Sequence, residues 1–286
     1  MSGYDFTRSV SQRRTYRACG MKWYNRYVSG WTMKTKKVQY QFGSIFEQVC
    51  GEVITQALTS PEAAQARFLS LWEPYRMDPK LTYRKGLTWK IFADRGQILV
   101  LHAYVKLHEI IDVEDWFQLQ KELRYEIGGA KELCYLDFCG YSMPQAPWGR
   151  GFGILDFKTG ERTEPETLAE KDDQLTDYQL AVETVYSKKV EWLALFRGIW
   201  TTEPKVQLIW SPARTDQELA RFAAEAVVVD QQIKDGIFLE NPAQCHQWGG
   251  CEYQPVCFAS QKQRLEQELE QDPKKAGGSG DEELEV

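Results

Sequence analysis

The chain has 286 residues, enough to bury a substantial core as one large domain or two small ones. Its net charge of −6 speaks against a uniformly basic nucleic-acid binder, and no apolar stretch is long enough to cross a bilayer. The opening MSGYDFTRSVSQRR lacks the apolar core of a secretory signal, so the seven cysteines are expected in a reducing, cytoplasmic setting that favours metal or cluster ligation over disulfides.

The distribution of charge tells more than its sum. Between Met1 and Tyr40 nine basic residues stand against one acid, Asp5, with Tyr16, Trp23, Tyr24, Tyr27 and Trp31 interleaved. Basic charge supplies phosphate affinity and aromatics stack on bases. The alternative is a solvated helix whose aromatics pack inward. Ser9 or Ser11 is placed to cap a helix to about Val28. FGSIFEQVCGEVITQAL, 42–58, has apolar residues at helical spacing, and residues 60–112 read as a helical insertion opened by Ser60-Pro61. Within it, GQILVLHAYVKLHEII is too uniformly apolar for its period to be read.

The pattern then changes. FQLQKELRYEI, ELCYLDFCGY and GFGILDFKTG read as successive strands, with Gly128-Gly129 as the first turn. DDQLTDYQLAVETVYSKK reads as a helix starting near Asp172 or Asp173, and residues 191–210 as one or two strands. Residues 215–236 read as a helix with a Thr215/Glu218 capping box and a stop at Gly236. SQKQRLEQELEQ reads as a short charged helix, and 271–286 as a disordered acidic tail after a single domain over 1–270.

The candidate chemistry begins at DFKTG. Strand side chains alternate, so Asp156 and Lys158 share a face and Phe157 takes the other. Alone, such a pair is a salt bridge at a strand end. Asp137 lies on the preceding strand and can come abreast of Asp156. Two adjacent carboxylates repel unless a cation lies between them, and oxygen ligands favour a hard ion such as Mg²⁺. Such an ion polarises a phosphodiester and acidifies a water, while a neighbouring lysine steadies the charge that develops. Glu47, four residues after Gly43 in an apolar helix, either turns inward as a third acid or sits on the polar face. Gln174 and Tyr178 share one helix face and are suited to holding a phosphate or a base.

The ordered set Gly43-x-x-x-Glu47, Asp137, ILDFKTG and QLTDY resembles the PD-(D/E)XK nucleases, specifically the RecB-like exonuclease branch. That resemblance implies an α/β, restriction-endonuclease-like core with a central mixed sheet flanked by helices. It implies Asp137, Asp156 and the Phe157 carbonyl as ligands of Mg²⁺ or Mn²⁺, joined by Glu47, with Lys158 as catalytic lysine and Gln174 and Tyr178 contacting DNA. Where the RecB-like branch usually has histidine, this chain has Glu47, as in the wider superfamily. The implied activity is metal-dependent hydrolysis of DNA, as single strands or duplex ends, in repair, recombination or phage DNA processing. No phosphate-loop motif is present, so a helicase or recombination partner would be a separate chain. A catalytically inactive DNA-binding or scaffolding subunit of the same fold is the alternative.

CHQWGGCEYQPVC, 245–257, spaces Cys245, Cys251 and Cys257 five residues apart, and Cys19 sits in the basic N-terminal helix. Four thiols suit an iron–sulfur cluster; zinc, with His246 in place of one thiol, competes, and would suit an interaction domain. A subset of RecB-like nucleases, among them CRISPR-associated exonucleases, AddB-type subunits and phage relatives, carries one cysteine before the nuclease motifs and three after. By that resemblance Cys19, Cys245, Cys251 and Cys257 bind a [4Fe–4S] cluster that joins the chain ends. Cys50, Cys134 and Cys139 are expected as packed, inert thiols.

Overall fold

The computed structural model describes residues 7–258, 260 and 262–272. The chain order is α1 (Val10–Ala18), α2 (Gly20–Tyr27), β1 (Trp31–Met33), β2 (Lys36–Lys37), α3 (Val38–Ile54), α4 (Pro61–Trp72) and β3 (Leu81–Thr82). Then come α5 (Trp89–Ile110), β4 (Ile111–Ile127), β5 (Ala130–Ser142), β6 (Phe152–Gly160), α6 (Asp173–Tyr186), β7 (Trp192–Ile199) and β8 (Lys205–Pro212). The last elements are α7 (Asp216–Lys234), α8 (Gln254–Cys257), α9 (Lys262–Glu268) and β9 (Leu269–Gln271). They form two compact units, one from the segments up to Thr35, Arg124–Leu133 and from Asp216 on, the other from Lys36–Leu123 and Cys134–Thr215. No helix among the described residues is long and apolar enough to cross a membrane.

The larger unit is built on a five-stranded sheet of order β4-β5-β6-β7-β8. β5 and β6 are antiparallel, with Phe138 opposite Leu155; β6 and β7 are parallel, with α6 as the crossover; β7 and β8 are antiparallel. The sheet is therefore mixed, as expected of an α/β core. Leu155 and Phe157 enter a core shared with Phe42, Phe46, Phe68, Trp72, Phe92 and Leu99 of α3, α4 and α5. Edge-on aromatic pairs such as Phe42–Phe68 and Phe42–Phe92 tie the three helices together. Each such pair adds about 0.5–1.5 kcal/mol beyond its area. Alternation then sends Asp156 and Lys158 to the other face of β6.

The apolar stretch at 96–111 is helix almost throughout: α5 buries Gly96, Leu99, Val100, Ala103, Leu107 and Ile110 on one face, while apolar Ile98 and Val105 on the other face are exposed and blur the period. The insertion is helical in α4, whose Ser60 hydroxyl accepts from the Ala63 N–H at 3.1 Å, and in α5. Residues 73–88 between them are not α-helix and include β3. β4 starts at Ile111, earlier than the alternation at 117 suggested.

In the smaller unit Ser9 caps α1, but the helix breaks at Cys19, whose extended backbone (φ −164°) starts α2 afresh. The expected single helix to Val28 is thus two. The interleaved aromatics pack inward: Tyr16, Trp23 and Tyr27 form a buried nest with Val229 and Ile233 of α7, and Phe238 stacks on Trp23. Arg8 and Arg13 are buried in ion pairs with Asp230 and Glu132. The base-stacking alternative therefore fails for these three rings. The expected helix at 260–271 ends at Glu268, and Leu269–Gln271 instead pairs antiparallel with β1, Trp31 opposite Gln271. Of the acidic tail expected over 271–286, only Gln271 and Asp272 are among the described residues.

Candidate active site

The larger unit brings the nuclease-like residues together. The β5/β6 register, with Phe138 opposite Leu155, sets Asp137 abreast of Asp156. The Phe157 N–H donates to Asp137 Oδ2 at 2.7 Å, which fixes that carboxylate just beyond the last β5/β6 pair, Phe138 opposite Leu155. Lys158 Nζ donates to Asp156 Oδ1 at 3.0 Å. Asp156 is fully buried, and its second oxygen, Oδ2, has no hydrogen-bond donor. About a quarter of the Lys158 side chain stays exposed (26%), so the pair opens to solvent on the lysine side.

Glu47 reaches the same place from α3. A Cβ on Gly43 would lie 3.0 Å from Thr159 Oγ1, so glycine lets the helix approach the end of β6. One turn on, Glu47 is half-buried and interacts electrostatically with Lys158 and Asp156, while the Gln120 side chain hydrogen-bonds to it. Gln120 lies in β4 with φ +44°, in the left-handed region. Beside Glu47 a cleft of about 400 Å³ is lined by Ser44, Gln48, Glu52, Leu119 and Gln120.

α6 is the third contributor. Asp172 Oδ1 accepts from the N–H groups of Gln174 and Leu175, at 2.8 and 3.1 Å. Buried Arg214 locks the helix in place, donating to Thr176 Oγ1, Ser211 Oγ and the Ala169 carbonyl, while its backbone N–H meets Gln179. On the face turned to the acids, Gln174 Nε2 donates to the Tyr178 hydroxyl at 2.6 Å.

The electrostatics follow from this crowding. Burial pushes Asp156 up to about 8; Asp137 and Asp172 add to the shift and Lys158 opposes it. Burial pushes Asp137 up to about 7, with Glu47 adding and Lys158, the Phe157 N–H and a hydrogen bond with Asp156 opposing. Glu47 is raised by burial and by Asp156. Burial alone would lower Lys158, but Asp156 and Asp137 outweigh it and hold its ammonium above the usual lysine value. Burial, then the two aspartates, keep the Tyr178 phenol protonated well above its usual range.

Among the described residues no three His, Cys, Asp or Glu side chains are gathered to hold a metal ion as they stand. A Mg²⁺-type ion needs only one or two protein carboxylates, the rest being waters and substrate oxygens. The Asp137–Asp156 pair fits that need: two adjacent carboxyls, one with a buried oxygen that no donor meets. The cysteines differ. In the smaller unit Cys257 feels the charge of Cys251 and Cys19, and Cys251 that of Cys245. They are not drawn into one ligand set; Cys19 and Cys245 face carbonyls of Leu239 and Asn241 at 4.0 Å. Within the smaller unit β1 pairs with β9, and the Tyr253 hydroxyl donates to the Trp31 carbonyl at 3.2 Å. Cys50, Cys134 and Cys139 are buried, with the Cys139 thiol pushed up to about 12 by burial.

Three residues of this neighbourhood escaped the sequence reading in their roles: Asp172, Gln120 and Arg197, which pairs with Lys158 across β6 and β7. Asp172 carries a local signal, an acid two residues before Gln174 at a helix start. Gln120 and Arg197 carry none.

The chain matches the PD-(D/E)XK nuclease superfamily over residues 7–258. It belongs to that superfamily. No curated protein matches it. Among solved structures it is similar to a protein of Eubacterium rectale described as a proposed exonuclease, at 13% identity and a TM-score of 0.51, covering 85% of this chain and 86% of that one.

Proposed function

We propose that the chain is a divalent-metal-dependent deoxyribonuclease, an exonuclease of the RecB-like branch acting on single-stranded DNA or duplex ends. The observation that carries this is the fully buried Asp156, one oxygen on Lys158 and the other without a donor, abreast of Asp137. Asp137 and Asp156, with the Phe157 carbonyl and Glu47, would hold Mg²⁺ or Mn²⁺. When bound, the ion supplies Lewis-acid charge at the phosphodiester and lowers the pKa of a water. The chain's own residues do the rest. The Phe157 N–H orients Asp137. Lys158, kept protonated by its two aspartates, steadies negative charge developing on the phosphoryl oxygens. Tyr178 holds the Gln174 amide in one orientation, from which Gln174 can meet the DNA strand. The similarity to the Eubacterium rectale protein supports the exonuclease part of the reading.

The same reading assigns a [4Fe–4S] cluster, with Zn²⁺ as the alternative, to Cys19, Cys245, Cys251 and Cys257, and a cytoplasmic role beside a helicase or recombination partner. The electrostatic influence of Cys19 and Cys251 on Cys257, and of Cys245 on Cys251, supports it. Brown protein containing iron, bleached in Cys251→Ala, is expected; colourless protein with stoichiometric zinc would replace the cluster by zinc. For the nuclease, end-labelled single- and double-stranded DNA is incubated with Mg²⁺, Mn²⁺ or chelator. Metal-dependent shortening from an end is expected, with at least about 10²–10³-fold loss in Lys158→Ala. Undiminished cleavage by purified Lys158→Ala would refute the site.

A further inference from the structure

The parallel β6/β7 register pairs Lys158 with Arg197, so the two residues stand at one level on one face of strands whose backbones lie about 4.8 Å apart. Their situations differ. Lys158 is engaged by Asp156 at 3.0 Å. Arg197 is only 11% exposed at its side chain, and its Nε is buried without a hydrogen-bond partner. Among the described residues its one ion pair, from Nη2 to Glu164, is long at 3.6 Å. Asp156 and Asp172 act on it electrostatically, so it lies beside the acids of the site. A Cβ on Gly160 would lie 3.0 Å from Nη2, so the glycine that closes DFKTG is what leaves the guanidinium its place.

Burying a guanidinium while leaving its donors unused is costly unless a ligand uses them. The planar fork of arginine suits phosphate oxygens, and none of the neighbouring acids takes it in bidentate fashion. We propose that Arg197 is a substrate-binding residue that takes a phosphate of the DNA strand through its unused N–H groups, with Gly160 leaving the space for it. This rests on the nuclease reading above. The phosphate is either an internal phosphodiester beside the one attacked or the terminal phosphate at a strand end. Both present the same oxyanion to the fork.

The test uses oligonucleotides carrying one neutral methylphosphonate at successive positions, each with a 5′-phosphate or a 5′-hydroxyl. They are cleaved by the wild type and by Arg197→Met, Gly160→Ala and Glu164→Gln. Arg197→Met should raise KM on the order of 10-fold with much less change in kcat, and reduce the salt slope of log KM by about 1. One position whose neutralisation slows the wild type should cease to matter in Arg197→Met, which marks an internal phosphate. If the 5′-phosphate preference is lost instead, the terminal one is marked. Gly160→Ala, which crowds the fork, should show the same signature should Arg197→Met not fold, and Glu164→Gln should leave it as in the wild type. Arg197→Met or Gly160→Ala that melts lower yet keeps every methylphosphonate penalty and the full salt slope would make Arg197 a structural cation and overturn the proposal. Wild type inert on all DNA would overturn the nuclease reading and this inference together.

Discussion

Each unit buries a cluster of charges, and the two clusters are balanced differently. In the smaller unit Arg13 meets Glu132 at 2.7 Å and Asp230 at 3.9 Å, and Arg8 meets Asp230 at 3.3 Å, so two acids face two guanidiniums. In the larger unit Asp137, Asp156 and Glu47 crowd one another, with Asp172 near Asp156; Lys158 is seated among them and Arg197 lies beside Asp156 and Asp172. The first cluster is balanced in charge without any ligand. The second is short of positive charge, and a divalent cation is what would complete it. Buried charge by itself therefore says little about function; the sign and size of the imbalance say more.

The comparison can be broken from either side. Arg13→Met removes one cation from the balanced cluster and leaves buried acids uncompensated, so it should cost about 3–5 kcal/mol in denaturant unfolding. An unchanged midpoint would mean that cluster is not the ion-paired core described. Asp156→Asn removes one acid from the unbalanced cluster and should do the opposite, stabilising the metal-free protein by on the order of 1–3 kcal/mol while abolishing cleavage. A destabilised Asp156→Asn would show that the acids are already compensated.

The same imbalance has a pH signature. Asp137 and Asp156 titrate higher in the folded chain, near 7 and 8, than an unfolded aspartate does. As pH rises from about 4, the unfolded chain sheds protons that the folded chain keeps, so the stability these groups contribute is lost up to about pH 8. In chelator, melting temperatures should fall over that window in the wild type relative to Asp137→Asn/Asp156→Asn. Parallel curves would contradict the shifts. The smallest effect is expected at Gly43→Ala, whose methyl would press on Thr159 Oγ1 at 3.0 Å. A loss of about 1 kcal/mol, recovered in Gly43→Ala/Thr159→Ala, would confirm the close approach that brings Glu47 to the site.

What was legible in the sequence was local. DFKTG declares its face because strand alternation has a period of two, and β5, β6 and the start of α6 lie where alternation and capping put them. Asp137 could be matched to Asp156 because one strand directly follows the other. What was hidden depends on pairing between distant segments. β9 reads as charged helix on its own and is a strand because β1 supplies hydrogen bonds. Cys19 breaks a helix whose pattern runs on through it, so Tyr16 reaches α7 from one helix and Trp23 and Tyr27 from the next. Arg197 comes to Lys158 only through the crossover that makes β6 and β7 parallel.

The central claim is that the Asp137–Asp156 pair is a site for a divalent cation. Calorimetric titration of metal-free protein with Mn²⁺ at about pH 7, in two buffers of different ionisation heat, tests it most directly. Binding that releases at least about one proton per ion, with both the binding and the release lost in Asp156→Asn, is the result this account predicts. Mn²⁺ binding that is unchanged in Asp156→Asn, or no binding by the wild type, would contradict it.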